Sequence, residues 1–216
     1  MADRKLIIFD LDGVISDSFD NTLKHYNQLA GQFGLPEVVG PEVTKFRNMT
    51  IRELIDYVKI PKYQLFLFLR AILQKQLRDE SHLPIHVGIR DTLHNLKKEG
   101  HALGIVSLNS PANVQRFLQR HEIEIFDYVE SVNIYLFPFS QRFRKPGRIN
   151  DIVAKEKISK ELTFYVGDQT SDIDDAKSAI VRSVAVSWGY NTPEVLEKSK
   201  PDFLIHKPHT LLEIIN

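Results

Sequence analysis

Leu6-Ile7-Ile8-Phe9-Asp10-Leu11-Asp12-Gly13-Val14 is the stretch that decides how this chain folds. A four-residue apolar run, Leu6 to Phe9, is the kind of segment that forms a strand covered on both faces. It stops abruptly at two aspartates flanking a leucine. Gly13 then permits a turn that a side chain would obstruct. Similar runs recur at Ala102–Val106, Tyr128–Tyr135, Leu162–Val166, Ser183–Val186 and Phe203–Ile205, and helical patterns separate most of them. That alternation predicts βαβ units and a parallel sheet.

One region departs from the rhythm. From about Asp17 to Leu83 the pattern is helical throughout, with Phe19, Leu23, Tyr26, Ala30 and Phe33 on one face and Leu65, Leu69, Ile72 and Leu73 on another. The spacing predicts an all-helical insertion between the first and second strands, with Pro84 and Gly88 marking the return to the α/β core.

Composition narrows the function. The 216 residues are 43% hydrophobic and 26% charged, and 28 Lys and Arg balance 28 Asp and Glu. No single-sign field is present to draw the chain to nucleic acid or an anionic membrane, so a small-molecule partner is expected. The absence of cysteine excludes disulfides and thiolate metal sites, so any metal must sit on oxygen or imidazole. The most apolar later run, Tyr63 to Leu73, contains Arg70 and falls short of the roughly 20 residues that span a bilayer. The N-terminus lacks the pattern of a signal peptide. A cytoplasmic protein is expected, with its oligomeric state open.

Acidic residues recur at strand ends. The run Thr163 to Val166 leads into Gly167-Asp168-Gln169-Thr170-Ser171-Asp172, followed by Asp174 and Asp175. In open α/β sheets ligands bind beyond the carboxyl ends of strands, where Asp10, Asp12, Asp168 and Asp172 are all expected. Four converging carboxylates repel one another unless protonated or neutralised by a cation, and Mg²⁺ is the natural hard ion for oxygen donors. The plainer alternative, that aspartates cap turns and helices, is nearly as good for Asp10 and Asp12 taken alone. It is better for Asp174 and Asp175, which are expected in the first turn of the following helix. The second strand is expected to end at Ser107, with Ser110-Pro111 opening a helix whose N-terminus suits a phosphate. Ser110 is best read as that helix's cap. Lys145 is expected in a loop, among Arg142, Arg144 and Arg148, with nothing local to set it apart.

Taken in order, Asp10-Leu11-Asp12-Gly13-Val14, Ser107, Lys145-Pro146 and Gly167 to Asp172 resemble the haloacid dehalogenase-like hydrolase superfamily over essentially the whole chain. The insertion matches the class with a helical cap, which includes phosphoglycolate phosphatase-like enzymes and β-phosphoglucomutase. Val186 to Ile205 also resembles the phosphoglycolate phosphatase branch. The resemblance implies an α/β fold: a three-layer, Rossmann-like parallel sheet core (1–15 and 84–216) with a small all-α cap (16–83). It also implies a Mg²⁺-dependent phosphatase acting on a small phosphorylated metabolite. Asp10 would be the nucleophile and Asp12 the acid and base; Ser107 and Lys145 would bind the phosphoryl group. Asp10, the Asp12 carbonyl, Asp168 and Asp172 would serve the metal.

Asn109 is a candidate phosphate or cap contact. Arg47, in the cap segment Arg47-Asn48-Met49-Thr50, is a candidate for an anionic substrate against the plainer reading of a surface arginine. Tyr26 and Phe33 are candidates for substrate choice or for the cap's own core. Ile180 stands where the family often has glycine, an exchange expected to affect helix–strand packing. A sugar phosphomutase is the alternative activity, and a non-catalytic binding protein on this fold is a remoter one. The dehalogenase branch does not need an acid at Asp12, so that residue favours phosphoryl transfer.

Overall fold

The computed structural model describes residues 3–49, 51–79, 82–131 and 145–215. Its centre is a six-stranded, wholly parallel sheet formed by β1 (Leu6–Phe9), β2 (Ala102–Ser107), β3 (Tyr128–Ser131), β4 (Thr163–Gly167), β5 (Arg182–Val186) and β6 (Phe203–Ile205). The order is β3-β2-β1-β4-β5-β6. Chain order reverses beside β1, which opens a crevice beyond its carboxyl end.

Alternating side chains of these strands enter two separate apolar layers, as the period of two requires. Ile7, Phe9, Leu103, Ile105, Phe164 and Val166 pack with α5 (Ile89–Lys98), α6 (Pro111–Arg120) and α10 (Thr210–Ile215). Leu6, Ile8, Ala102, Val106 and Tyr165 pack with α7 (Lys145–Glu156) and α8 (Thr170–Ala179) on the other face. Burial on both faces is why the strand sequences are apolar nearly throughout. A short helix, α9 (Pro193–Lys198), follows β5.

Between β1 and α5 the chain forms α1 (Phe19–Ala30), α2 (Glu42–Arg47), α3 (Ile51–Val58) and α4 (Lys62–Asp79), which pack around their own apolar cluster. Tyr26 and Phe33 belong to that cluster, and the Tyr26 hydroxyl donates to Pro36 O at 2.9 Å. The helical-core reading of these two residues therefore holds. The two connections to the sheet run side by side: Asp17 N donates to Pro84 O at 2.9 Å and His86 N to Ile15 O at 3.0 Å.

Several local expectations change. The run through Tyr128–Tyr135 is a strand over Tyr128–Ser131, and its remainder lies outside the described residues, as do Arg142, Arg144 and the side chains of Leu69 and Leu73. Lys145 opens α7 instead of lying in a loop, because Pro146 suits the first turn of a helix. Helix α8 begins at Thr170, so its first turn holds Asp172, and Asp174 and Asp175 fall in the second. Ile180 is 72% exposed, so it barely touches helix–strand packing. Its peculiarity is a left-handed backbone, φ 60°, which explains a preference for glycine there.

Candidate active site

Asp10 follows β1 directly, and its N–H still donates to Val166 O of β4 at 2.9 Å. The ladder thus continues one residue past the strand and fixes where the Asp10 side chain emerges. Leu11 N donates to Asp10 Oδ1 at 2.8 Å. The other oxygen, Oδ2, accepts from Lys145 Nζ at 2.6 Å, and the same ammonium donates to Asp172 Oδ1 at 2.7 Å. All three residues are buried.

Asp168 leaves β4 alongside. Carboxylate oxygens of Asp10, Asp168 and Asp172 lie within 4.8 Å of one another. Asp168 Oδ2 accepts from Tyr190 N at 2.6 Å, whereas the buried Oδ1 has no hydrogen-bond partner among the described residues. Asp172 Oδ2 accepts from Asp168 N at 3.2 Å and from Gln169 N at 3.0 Å, so this residue also closes the start of α8. Gly13, at φ 82°, permits the close approach: a Cβ there would collide with the Asp168 carboxylate and lie 2.7 Å from Tyr190 Cδ2.

Three carboxylates converge, not the expected four. Asp12 turns away from the cluster, its Oδ1 accepting from Ser16 Oγ at 3.2 Å and its Oδ2 from Asn109 Nδ2 at 3.3 Å. The two aspartates that sequence alone places together thus take different partners. Ser107 Oγ accepts from Asn109 N at 3.0 Å, and Ser110 caps α6 by accepting from Asn113 N at 3.3 Å.

Electrostatics follow from burial and pairing. Loss of solvent pushes Asp10 up to about 7, against the downward pull of Lys145 and with a further upward push from Asp172. Burial raises Asp12, opposed by the hydrogen bonds from Ser16 and Asn109. Burial raises Asp168 well above its ordinary value, and the charges of Asp172 and Asp10 add to the effect. Burial would lower Lys145, but the charges of Asp10 and Asp172 outweigh it and hold the ammonium protonated. One lysine cannot neutralise three crowded carboxylates once all of them are ionised, which would leave negative charge in excess. That surplus, the oxygen-only donors and the unpartnered Asp168 Oδ1 fit a hard divalent cation.

Arg47 is tied to the loop after β5 and is not a free surface arginine. Its guanidinium donates to Gly189 O and, at 2.7 Å, to Tyr190 O, and lies 4.7 Å above the Phe19 ring. Tyr190 and Asn191 carry no catalytic motif of their own in the sequence. The available signal was their place just beyond the carboxyl end of β5, on the side of the sheet where ligands bind.

Comparison with known proteins identifies the family. A model of the haloacid dehalogenase-like hydrolases matches residues 7–186. The chain is 30% identical over 211 residues to a phosphoglycolate phosphatase of Synechococcus elongatus, covering 97% of this chain and 96% of that protein. It is 27% identical over 229 residues to the pyrophosphatase PpaX of Bacillus mycoides, covering 97% and 96%. Among solved structures, a haloacid dehalogenase-like family protein of Streptococcus pneumoniae superposes with a TM-score of 0.83 at 19% identity, covering 99% of both chains. A predicted phosphoglycolate phosphatase of Haemophilus somnus gives 0.81 at 21% identity, covering 100% of both. With its strand-end aspartates, its buried lysine and a family match over most of its length, the chain belongs to the haloacid dehalogenase-like hydrolases.

Proposed function

We propose that the protein is a Mg²⁺-dependent phosphatase that hydrolyses a small phosphate monoester through an aspartyl-phosphate on Asp10. The observation that carries this reading is the buried Asp10 carboxylate held by Lys145 beside the unpartnered oxygen of Asp168. The phosphoglycolate phosphatases among the curated relatives support phosphoglycolate or a comparably small anionic ester as substrate, and we take 16–83 as the cap of a cytoplasmic enzyme. Neither nucleic acid nor membrane enters this reading, and no helix among the described residues is long and apolar enough to cross a bilayer.

Asp10, Asp168, the Asp12 carbonyl and, close by, Asp172 would hold Mg²⁺, which when bound offsets phosphoryl charge that would otherwise repel the nucleophile. The Asp10 carboxylate attacks phosphorus and the ester P–O bond breaks. Asp12, which burial shifts towards its protonated form, gives its proton to the departing oxygen. In the second step Asp12 takes a proton from water, which attacks phosphorus and releases Asp10 and inorganic phosphate. Ser107 Oγ already accepts from Asn109 N, so its hydroxyl hydrogen is left for a phosphoryl oxygen. Lys145 neutralises charge on Asp10 and the phosphoryl group throughout.

The test is release of inorganic phosphate from a generic aryl phosphate and from phosphoglycolate, with and without Mg²⁺, for the wild type and Asp10→Asn. Metal-dependent release lost on substitution is the expected result. Interconversion of sugar phosphates without net phosphate release would instead identify a mutase. No turnover of any phosphate ester would favour a non-catalytic protein on this fold.

A further inference from the structure

Residues 189–192, just beyond β5, touch the helical insertion on one side and the carboxylate cluster on the other. Toward the insertion, Arg47 Nε donates to Tyr190 O at 2.7 Å and to Gly189 O at 3.2 Å. Asn191 Nδ2 donates to Arg47 O at 2.9 Å, and Thr192 N donates to Asn48 Oδ1 at 2.9 Å. Tyr190 adds a hydroxyl contact to Thr22 Oγ1 at 2.8 Å and an edge-to-face contact with Phe19. Toward the cluster, Tyr190 N donates to Asp168 Oδ2 at 2.6 Å and Asn191 N to Asp168 O at 3.2 Å. Asn191 Oδ1 accepts from Thr170 N, the first residue of α8, at 2.8 Å.

Asn191 is 3% exposed, and the two ends of its amide serve different halves of the molecule. The donor end holds the last residue of α2, in the insertion. The acceptor end holds the start of α8, immediately after Asp168. Because Asp168 Oδ2 is committed to Tyr190 N, the buried Oδ1 is the oxygen left to ligate an ion. The segment that makes this choice is itself fastened from the other side by Arg47 and Asn48.

We propose that Asn191 is a positioning residue that couples seating of the helical insertion to the orientation of Asp168, so that docking of the insertion and binding of a divalent cation favour each other. The inference rests on the cation site proposed above. It follows from reciprocity: if the docked insertion holds Asp168 ready for the ion, the ion must stabilise docking by the same factor. Detaching Arg47 and Asn48 frees the Gly189 and Tyr190 carbonyls and the Asn191 amide, and the peptide that fixes Asp168 Oδ2 loses its outer support.

The test is Mn²⁺ binding to the substrate-free protein, followed by electron paramagnetic resonance, in the wild type, Asn191→Asp and Arg47→Ala, with folding checked by circular dichroism. Asn191→Asp keeps the acceptor for Thr170 N and loses the donor to Arg47 O. Both variants make the neighbourhood more negative, so Coulomb attraction alone would tighten cation binding. Coupling requires the opposite, a weakening of about fivefold or more in each. Equal or tighter binding in both variants overturns the coupling. Weakening in Asn191→Asp alone would show that Asn191 acts on the ion site without the Arg47 side chain's hold on the loop and overturns the coupling, and weakening in Arg47→Ala alone removes Asn191 from the linkage. A wild type that binds no Mn²⁺ overturns the cation site itself, a separate failure.

Discussion

Lys145 Nζ stands 2.6 Å from Asp10 Oδ2 across 135 positions of sequence, and the same ammonium reaches Asp172 Oδ1 at 2.7 Å. The pairing joins the end of β1 to the start of α7 and the first turn of α8. It is the contact by which three separate segments share one site.

Lys145→Ala leaves the Asp10 and Asp172 carboxylates buried without their cation. Breaking one side of a buried ion pair costs about 3–5 kcal/mol. The metal-free variant is expected to lose that much stability in denaturant titration and to regain a large part of it with Mg²⁺, while phosphate release stays abolished. An unchanged midpoint without metal would show that the carboxylates relax or protonate at little cost.

Because burial pushes Asp10 up to about 7 from an ordinary 3.8, the folded metal-free protein binds a proton there that the unfolded chain has released. Stability therefore falls as pH rises from near 4 to near 7, since the folded state holds more protons in that window. A cation that displaces this proton binds more tightly as pH rises. The increase in melting temperature on adding Mg²⁺ is expected to be larger at pH 8 than at pH 6. Equal increments at the two values would show that Asp10 is already ionised at pH 6.

Asn109 Nδ2 donates to Asp12 Oδ2 and favours the ionised form, opposing the upward push of burial. Asn109→Ala is expected to make Asp12 hold its proton to higher pH, moving the rising limb of the kcat profile, where Asp12 must accept a proton, upward. If Asn109 instead serves as a phosphate contact, KM rises and the profile stays in place. The two roles are separated by one pH series.

Ile180 adopts φ 60° with an exposed side chain at the end of α8, away from the carboxylates. A left-handed conformation costs an L-residue about 1–2 kcal/mol, of which glycine gives back roughly 0.5–1 through its freer unfolded chain. Ile180→Gly is expected to stabilise the protein by about 0.5–1 kcal/mol, a rise of about 1–4 °C in Tm at this chain length, with kcat unchanged. A fall in Tm would show that the isoleucine side chain makes contacts worth more than the strain.

The sheet and the residues at its strand ends are legible in the sequence alone. Apolar runs buried on both faces are read from a few adjacent residues, and each of Asp10, Ser107 and Asp168 stands at or just beyond the end of such a run. The helical insertion was legible for the same reason, because its periodicity is local. Packing sets what periodicity does not carry. Lys145 has no local mark, and it becomes distinctive only when α7 brings its ammonium to Asp10 and Asp172. Asp12 and Asp10 are two positions apart, yet Asp12 meets Ser16 and Asn109 while Asp10 stays with the carboxylates. Arg47 and Asn191, 144 positions apart, meet only because the insertion folds back onto the loop after β5. Strand and helix patterns are set by nearest neighbours along the chain, whereas these partners are chosen by strand order and by how the insertion packs, which no short window of sequence contains.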